Sequence, residues 1–236
     1  MEKTKVIWIG RKRFSKEKLS VTAHLNWGST DFTLLGIDFS TNLPCITERN
    51  YQKALEKIKK LVKIWNNRYL TPIGKITIIK TYLISQCVHM LSCLPRSNSF
   101  LKELNKILYK FLWNNKPDKI RRSTVILDKT AGGMQMIDPV SFDISLKGNW
   151  IQKLYAQTNS QWYKLLVSMY KGIDHIFNFG DQWIKKMQTK VQNRFWQDVL
   201  DDWNSLITAQ KLKNKNQIIR SSLWYNSDIS QHAIFF

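Results

Sequence analysis

The residues best able to do chemistry are few. Asp201 and Asp202 form the only adjacent acidic pair in the chain. Paired carboxylates can hold the two metal ions of a phosphoryl-transfer centre, about 4 Å apart. Here they stand in Val199-Leu200-Asp201-Asp202-Trp203-Asn204, a helical pattern with no strand or tight turn around it. Neighbouring side chains on a helix point about 100° apart, so the pair reads as a solvated helix face. His89 and Cys93 lie one helical turn apart with Cys87 nearby. No fourth ligand has suitable spacing, and the three read as core residues. Ala131-Gly132-Gly133 lacks the Lys-Ser/Thr that completes a phosphate-cradling loop. No Ser-His-Asp or Cys-His arrangement stands out. On residue chemistry the chain is expected to catalyse nothing by itself, with no catalytic residue and no metal site.

Binding is the stronger reading. The chain carries 37 Lys and Arg against 17 Asp and Glu, a formal charge of +20, and 10 Trp. Such a balance repels itself in a compact state, so a polyanionic partner is the natural explanation. Nucleic acid leads, ahead of an anionic membrane surface. Phosphates call for surface cations and bases call for exposed rings. The candidates are Arg68, Lys75, Lys80, Trp113, Lys116, Lys119, Arg121 and Arg122. Any one lysine alone reads as part of a solvated face. Trp113 closes an apolar helix, which favours the core. The cluster as a whole reads as a binding surface.

Thr71-Pro72-Ile73-Gly74-Lys75 joins these residues to an element. Thr71 suits a helix cap and Pro72 the first helical position, where no N–H is needed. Ile73, Ile76, Ile79 and Leu83 form an apolar stripe. Gly74 sits inside the helix, where it costs about 1 kcal/mol against alanine. Close approach of a partner to the helix backbone would explain it. Lys75 and Lys80 flank that patch.

The remaining elements follow from periodicity. The 9 Gly and 5 Pro are sparse and favour helix over a turn-rich β fold. The expected fold is mainly α, a helical bundle with a small antiparallel β element at the N-terminus. Strand patterns occur at 5–10, 21–27 and 32–39. A helix capped by Thr47 should bury Tyr51, Leu55, Ile58, Leu61, Val62 and Trp65 and expose Lys53, Lys57, Lys60 and Lys63. A second runs from Pro72 to about Leu94. A third, capped at 97–99, buries Leu101, Leu104, Ile107, Leu108, Phe111 and Leu112. An extended piece at 125–127, a turn at 131–134 and a helix from Pro139 to about Tyr155 carrying Phe142, Leu146, Trp150 and Leu154 come next. Helical patterns return at 162–170 and 182–207, followed by a basic connector at 211–215 and an apolar tail at 233–236. No stretch reaches the ~18 apolar residues of a membrane span, and the opening residues are not expected to act as a signal peptide. Three cysteines without framework spacing fit a reducing, intracellular setting. The two apolar ends suggest a piece of something larger.

The order of segments resembles the downstream part of the reverse transcriptase of LINE-type (non-LTR) retrotransposons. The series is Lys3-Thr4-Lys5-Val6-Ile7-Trp8-Ile9-Gly10, Leu34-Leu35-Gly36-Ile37, Asn50-Tyr51, Trp65-Asn66-Asn67-Arg68, Leu70-Thr71-Pro72-Ile73-Gly74-Lys75-Ile76, Leu94-Pro95, Phe111-Leu112-Trp113-Asn114 and Gly132-Gly133-Met134, with an echo at Leu223-Trp224-Tyr225-Asn226. The resemblance implies a palm-edge remnant at 1–40, a thumb at 41–130 that holds template–primer duplex by its backbone, and a helical connector at 131–236. The implied partner is an RNA–DNA hybrid or structured RNA, contacted by the residues above together with Thr71 and Gly74, and no membrane. The family's catalytic aspartate turn precedes the Lys-Thr segment and is not in this sequence. The parent polymerase would use Mg²⁺, and no cofactor is expected here. Two other readings stand beside this one. One is a polymerase part completed in trans by a catalytic chain, and the other is an inactive relic of a decayed element. Residues 1–40 are expected to be weakly anchored, since two or three short strands are marginal alone.

Overall fold

The computed structural model describes residues 31–209 without interruption and, before them, residues 5–8, 10–12, 15, 17, 20, 26 and 27. The sequence features at 211–215, 223–226 and 233–236 lie outside the described residues. The chain divides into two compact units. The first holds Met1–Met90 and Ser97–Met136; the second holds Leu91–Arg96 and Ile137–Phe236.

In the first unit the strand signals resolve into two pairs. β1 (Lys5–Val6) pairs in parallel with β2 (Asn26–Trp27), against the antiparallel arrangement expected. The pattern at 32–39 is not one strand but a hairpin, β3 (Asp31–Leu34) and β4 (Ile37–Ser40), antiparallel. Leu35 and Gly36 turn it with φ of +50° and +81°. Two positive φ values make a type I′ turn, whose twist matches the strands. Phe32 and Phe39 stack across the pair at 5.1 Å.

The hairpin is anchored, contrary to expectation. The anchor is α1 (Leu43–Asn66). Asn50, fully buried on α1, accepts from Asp38 N and donates to Asp38 O, both at 2.8 Å. Its amide thus pairs with β4 as a neighbouring strand would. Lys53 and Arg49 add ion pairs to Asp38 and Asp31. α1 starts four residues before Thr47, because Pro44 sets the first turn and Asn42 precedes it. Of the face expected to be buried, Tyr51, Leu55 and Ile58 are, together with Ala54, while Leu61, Val62 and Trp65 are half-buried; the lysines lie outside.

The second helix is broken. α2 (Pro72–Ile78) passes through a π turn at Ile79–Leu83 into α3 (Ser85–Cys93), with a bend of 48°. The Ile84 N–H reaches Ile79 O at 2.9 Å, the i→i−5 bond of a π turn. Thr77 and Thr81 donate to the carbonyls four residues back, a contact that bends helices. α4 (Asn98–Leu112) follows, capped by Ser97 and burying every apolar residue expected of it. Each such buried side chain contributes about 1.5–3 kcal/mol. Tyr51 on α1 meets Phe100 on α4 at 4.5 Å between ring centroids. The piece expected to be extended at 125–127 falls in and after a short helix, α5 (Arg122–Ile126). Val125 O and Leu127 O still take strand-like bonds from 134–136. The intervening turn needs Gly133, where a Cβ would sit 2.0 Å from Leu127 O.

The second unit contains α6 (Pro139–Ala156), α7 (Gln161–Met169), a 3-10 turn at Ile173–Phe177, α8 (Asp181–Lys190) and α9 (Arg194–Ala209). The helical pattern at 182–207 is split because Asn193 caps α9, accepting from Phe195 N and Trp196 N. The core joins Ile151, Leu154, Leu166, Ile184, Val199 and Leu200. Among the described residues no single helix is long and apolar enough to cross a membrane.

Candidate nucleic-acid interface

Thr71 caps α2 as its type suggests, accepting from Gly74 N at 3.2 Å. Gly74 is half-buried, and a Cβ there would meet Thr71 Oγ1 at 3.4 Å and little else. The fold therefore does not demand glycine at this position.

Lys75 does not reach the surface. It is 2% exposed. Its Nζ donates to Phe111 O at 2.8 Å and to Asn114 Oδ1, and sits 4.9 Å from the Phe111 ring centroid. Burial pushes the ammonium below its usual pKa. The cation closes the end of α4, where orphan carbonyls attract positive charge. Lys75 is thus removed as a phosphate contact. The face of α2 is rotated accordingly: Lys75, Ile76, Ile79 and Leu83 are inside, and Ile73 is 61% exposed. Trp113, 5% exposed, is likewise removed as a stacking ring; it belongs to the core.

The other candidates are exposed. Lys80 lies on the outer face with Thr77 and Thr81. Arg68 lies over the Trp65 ring at 5.1 Å, and Trp65 contacts Tyr82 at 5.4 Å. Lys116, Lys119 and Arg121 line the loop after α4. Arg122 is held by Asp118 at 2.7 Å and lies 4.2 Å over Tyr109, so part of its charge is neutralised. Tyr69 was not read from the sequence, although it is fully exposed and adjoins Arg68. The signal was there: it falls after the end of α1 and before the Thr71 cap, outside either buried stripe.

The acidic pair divides. Asp201 is solvated, as expected, and accepts from Gln188 at 2.7 Å. Asp202 is 3% exposed and takes part in an ionic cluster of the second unit. Arg96 donates its Nε to Asp143 at 2.6 Å, a terminal nitrogen to Asp202, and its backbone N to Asp198 at 2.6 Å. Lys147 donates to Asp143 at 3.1 Å and to Leu91 O and Leu94 O. Burial pushes the Asp198 and Asp202 carboxyls up, partly opposed by bonds from Arg96. Burial pulls the Arg96 guanidinium down, but its bonds to Asp202 and Asp143 leave it raised. The stripe on α6 that is fully buried is Asp143, Lys147, Ile151 and Leu154, while Phe142, Leu146 and Trp150 are only half-buried. Cys87 faces the core and donates to Ile84 O, while His89 faces solvent. Among the described residues no group of His, Cys, Asp and Glu could hold a metal ion.

No family model matches the chain. Over 211 residues it is 22% identical to the transposon TX1 uncharacterized 149 kDa protein of Xenopus laevis, covering 86% of this chain and 16% of that protein. A transposon protein is among its relatives. Over 130 residues it is 25% identical to an Arabidopsis thaliana protein named "Putative ribonuclease H protein", covering 53% of this chain and 21% of that protein. The chain spans about a fifth or less of the length of these relatives.

Proposed function

We propose that this chain is the thumb and connector of a LINE-type reverse transcriptase, gripping a template–primer duplex through phosphate contacts and catalysing nothing by itself. The order of its segments and its likeness to a transposon protein over most of its length support that reading. The observation that carries it is a set of exposed cations, Arg68, Lys80, Lys116, Lys119 and Arg121, that have no ion pair among the described residues, in a chain of net charge +20. An A-form RNA–DNA hybrid, held by shape and phosphate without sequence choice, is the ligand such a surface suits.

The test is the salt dependence of hybrid binding. Lys80→Ala and Arg121→Ala should each lower the slope of log K against log salt by about one. Gly74→Ala should weaken the hybrid complex without destabilising the fold, since alanine is favoured there by up to about 1 kcal/mol. Salt-independent binding, or none at low salt, counts against the proposal.

A further inference from the structure

Trp150, Trp162, Phe195 and Trp196 line a cleft of about 390 Å³ in the second unit. That is within the roughly 300–1,000 Å³ span of small-ligand sites. Trp162 and Trp196 are nearly parallel, with 15° between planes and 6.1 Å between centroids. Trp150 stands edge-on to both at 5.5 and 5.9 Å, and its Nε1 donates to Ser92 O at 2.6 Å. All four rings are half-buried and pack against the core. Core packing accounts for the buried part of each ring. It leaves unexplained the open cleft and the 62% exposure of Leu165 at its mouth.

Behind Phe195 the buried charge is mixed, since Lys147, 5.5 Å from that ring, is bound to Asp143. No carboxylate lines the cleft. The charged residues next in the chain to its lining are Lys164, Lys171 and Arg194, all exposed. Lys153 already lies 4.5 Å from the Trp150 ring. An aromatic cage alone would suit an ammonium ligand, but Lys153 on the Trp150 ring and the exposed cations that adjoin the lining in the chain favour a polyanion instead. Asn193 uses its Oδ1 to cap α9, so its side-chain NH₂ is the donor it offers the cleft.

We propose that this cleft binds an unpaired nucleobase of a single-stranded nucleic acid, stacked on Trp162 or Trp196, with the flanking phosphates held by Lys164, Lys171 and Arg194. No residue of the duplex grip takes part, so the inference stands without that reading.

The experiment compares the full chain binding a short oligothymidylate and the same strand with abasic sugars, at low salt. Tryptophan emission should be quenched by the base-bearing strand, and its affinity should exceed that of the abasic strand roughly five- to a hundredfold. Leu165→Glu places a carboxylate at the mouth and should abolish the preference. Trp162→Ala should reduce it and Trp162→Phe restore part. Equal binding of the two strands overturns the proposal. So does a folded Leu165→Glu chain that keeps the full preference. Quenching by tetramethylammonium but not by thymidine monophosphate assigns the cleft to a cationic ligand and also overturns it. Hybrid affinity, measured in parallel, bears only on the duplex grip.

Discussion

Lys75 shows how one side chain can change roles once its partners are known. Its stem runs inward with Ile76, and its ammonium ends on Phe111 O and Asn114. Hydrogen bonds to a charged group contribute about 1.5–3 kcal/mol each way, against the cost of desolvating that charge. Lys75→Met keeps the stem and removes the cation. The expected result is a loss of roughly 1–3 kcal/mol in urea unfolding, with an unchanged salt slope for hybrid binding. A lower slope would return Lys75 to the surface set.

At the scale of elements, the segment Leu91–Arg96 is tied to α6 and α9 by charge. Arg96 touches Asp143, Asp198 and Asp202, and Lys147 bonds to Leu91 O and Leu94 O. Breaking a buried ion pair from one side costs about 3–5 kcal/mol, because the partner charge is left uncompensated. Arg96→Met should lose that amount in denaturant unfolding. Hydrogen exchange should show 91–96 opening ahead of the core of α9. Arg96→Lys should fall between, since an ammonium lacks the planar fork that serves two carboxylates. An Arg96→Met chain as stable as the parent would mean that apolar packing alone holds this segment.

For the molecule as a whole, pH separates the two units. Burial raises the folded pKa of Asp198 and Asp202 above the usual carboxylate value of 3.8. Their contribution to the second unit is fully present below that value and is lost as pH rises through the raised one. Asp38 in the first unit behaves oppositely. Hydrogen bonds from Thr33 and Lys53 lower its pKa, so its contribution is present above 3.8 and lost as pH falls through the lowered value. Asp198→Asn keeps an acceptor for the Arg96 N–H and removes the charge. Urea unfolding across pH should find it at least as stable as the parent at neutral pH, with the difference vanishing below 3.8. A constant difference at all pH values would contradict the assignment.

The sequence by itself determined what short-range physics controls. Apolar spacing identified the buried faces of α1 and α4, and Thr71, Pro72 and Ser97 marked helix starts through their own backbone chemistry. Composition established the basic charge and the mainly helical fold. Local signals were also present but outweighed: Pro44 over Thr47, Asn193 within an apolar pattern, and two positive-φ residues inside one strand signal. Only tertiary structure decided which polar groups are buried. Lys75 meets Asn114 across 39 residues and Arg96 meets Asp202 across 106. Periodicity treats a lysine or aspartate as an outward residue, because burying a charge alone is costly. Whether a distant partner offsets that cost depends on the packing of other helices. Gathering Trp150, Trp162 and Trp196 around one cleft likewise required α9 to meet the consecutive helices α6 and α7.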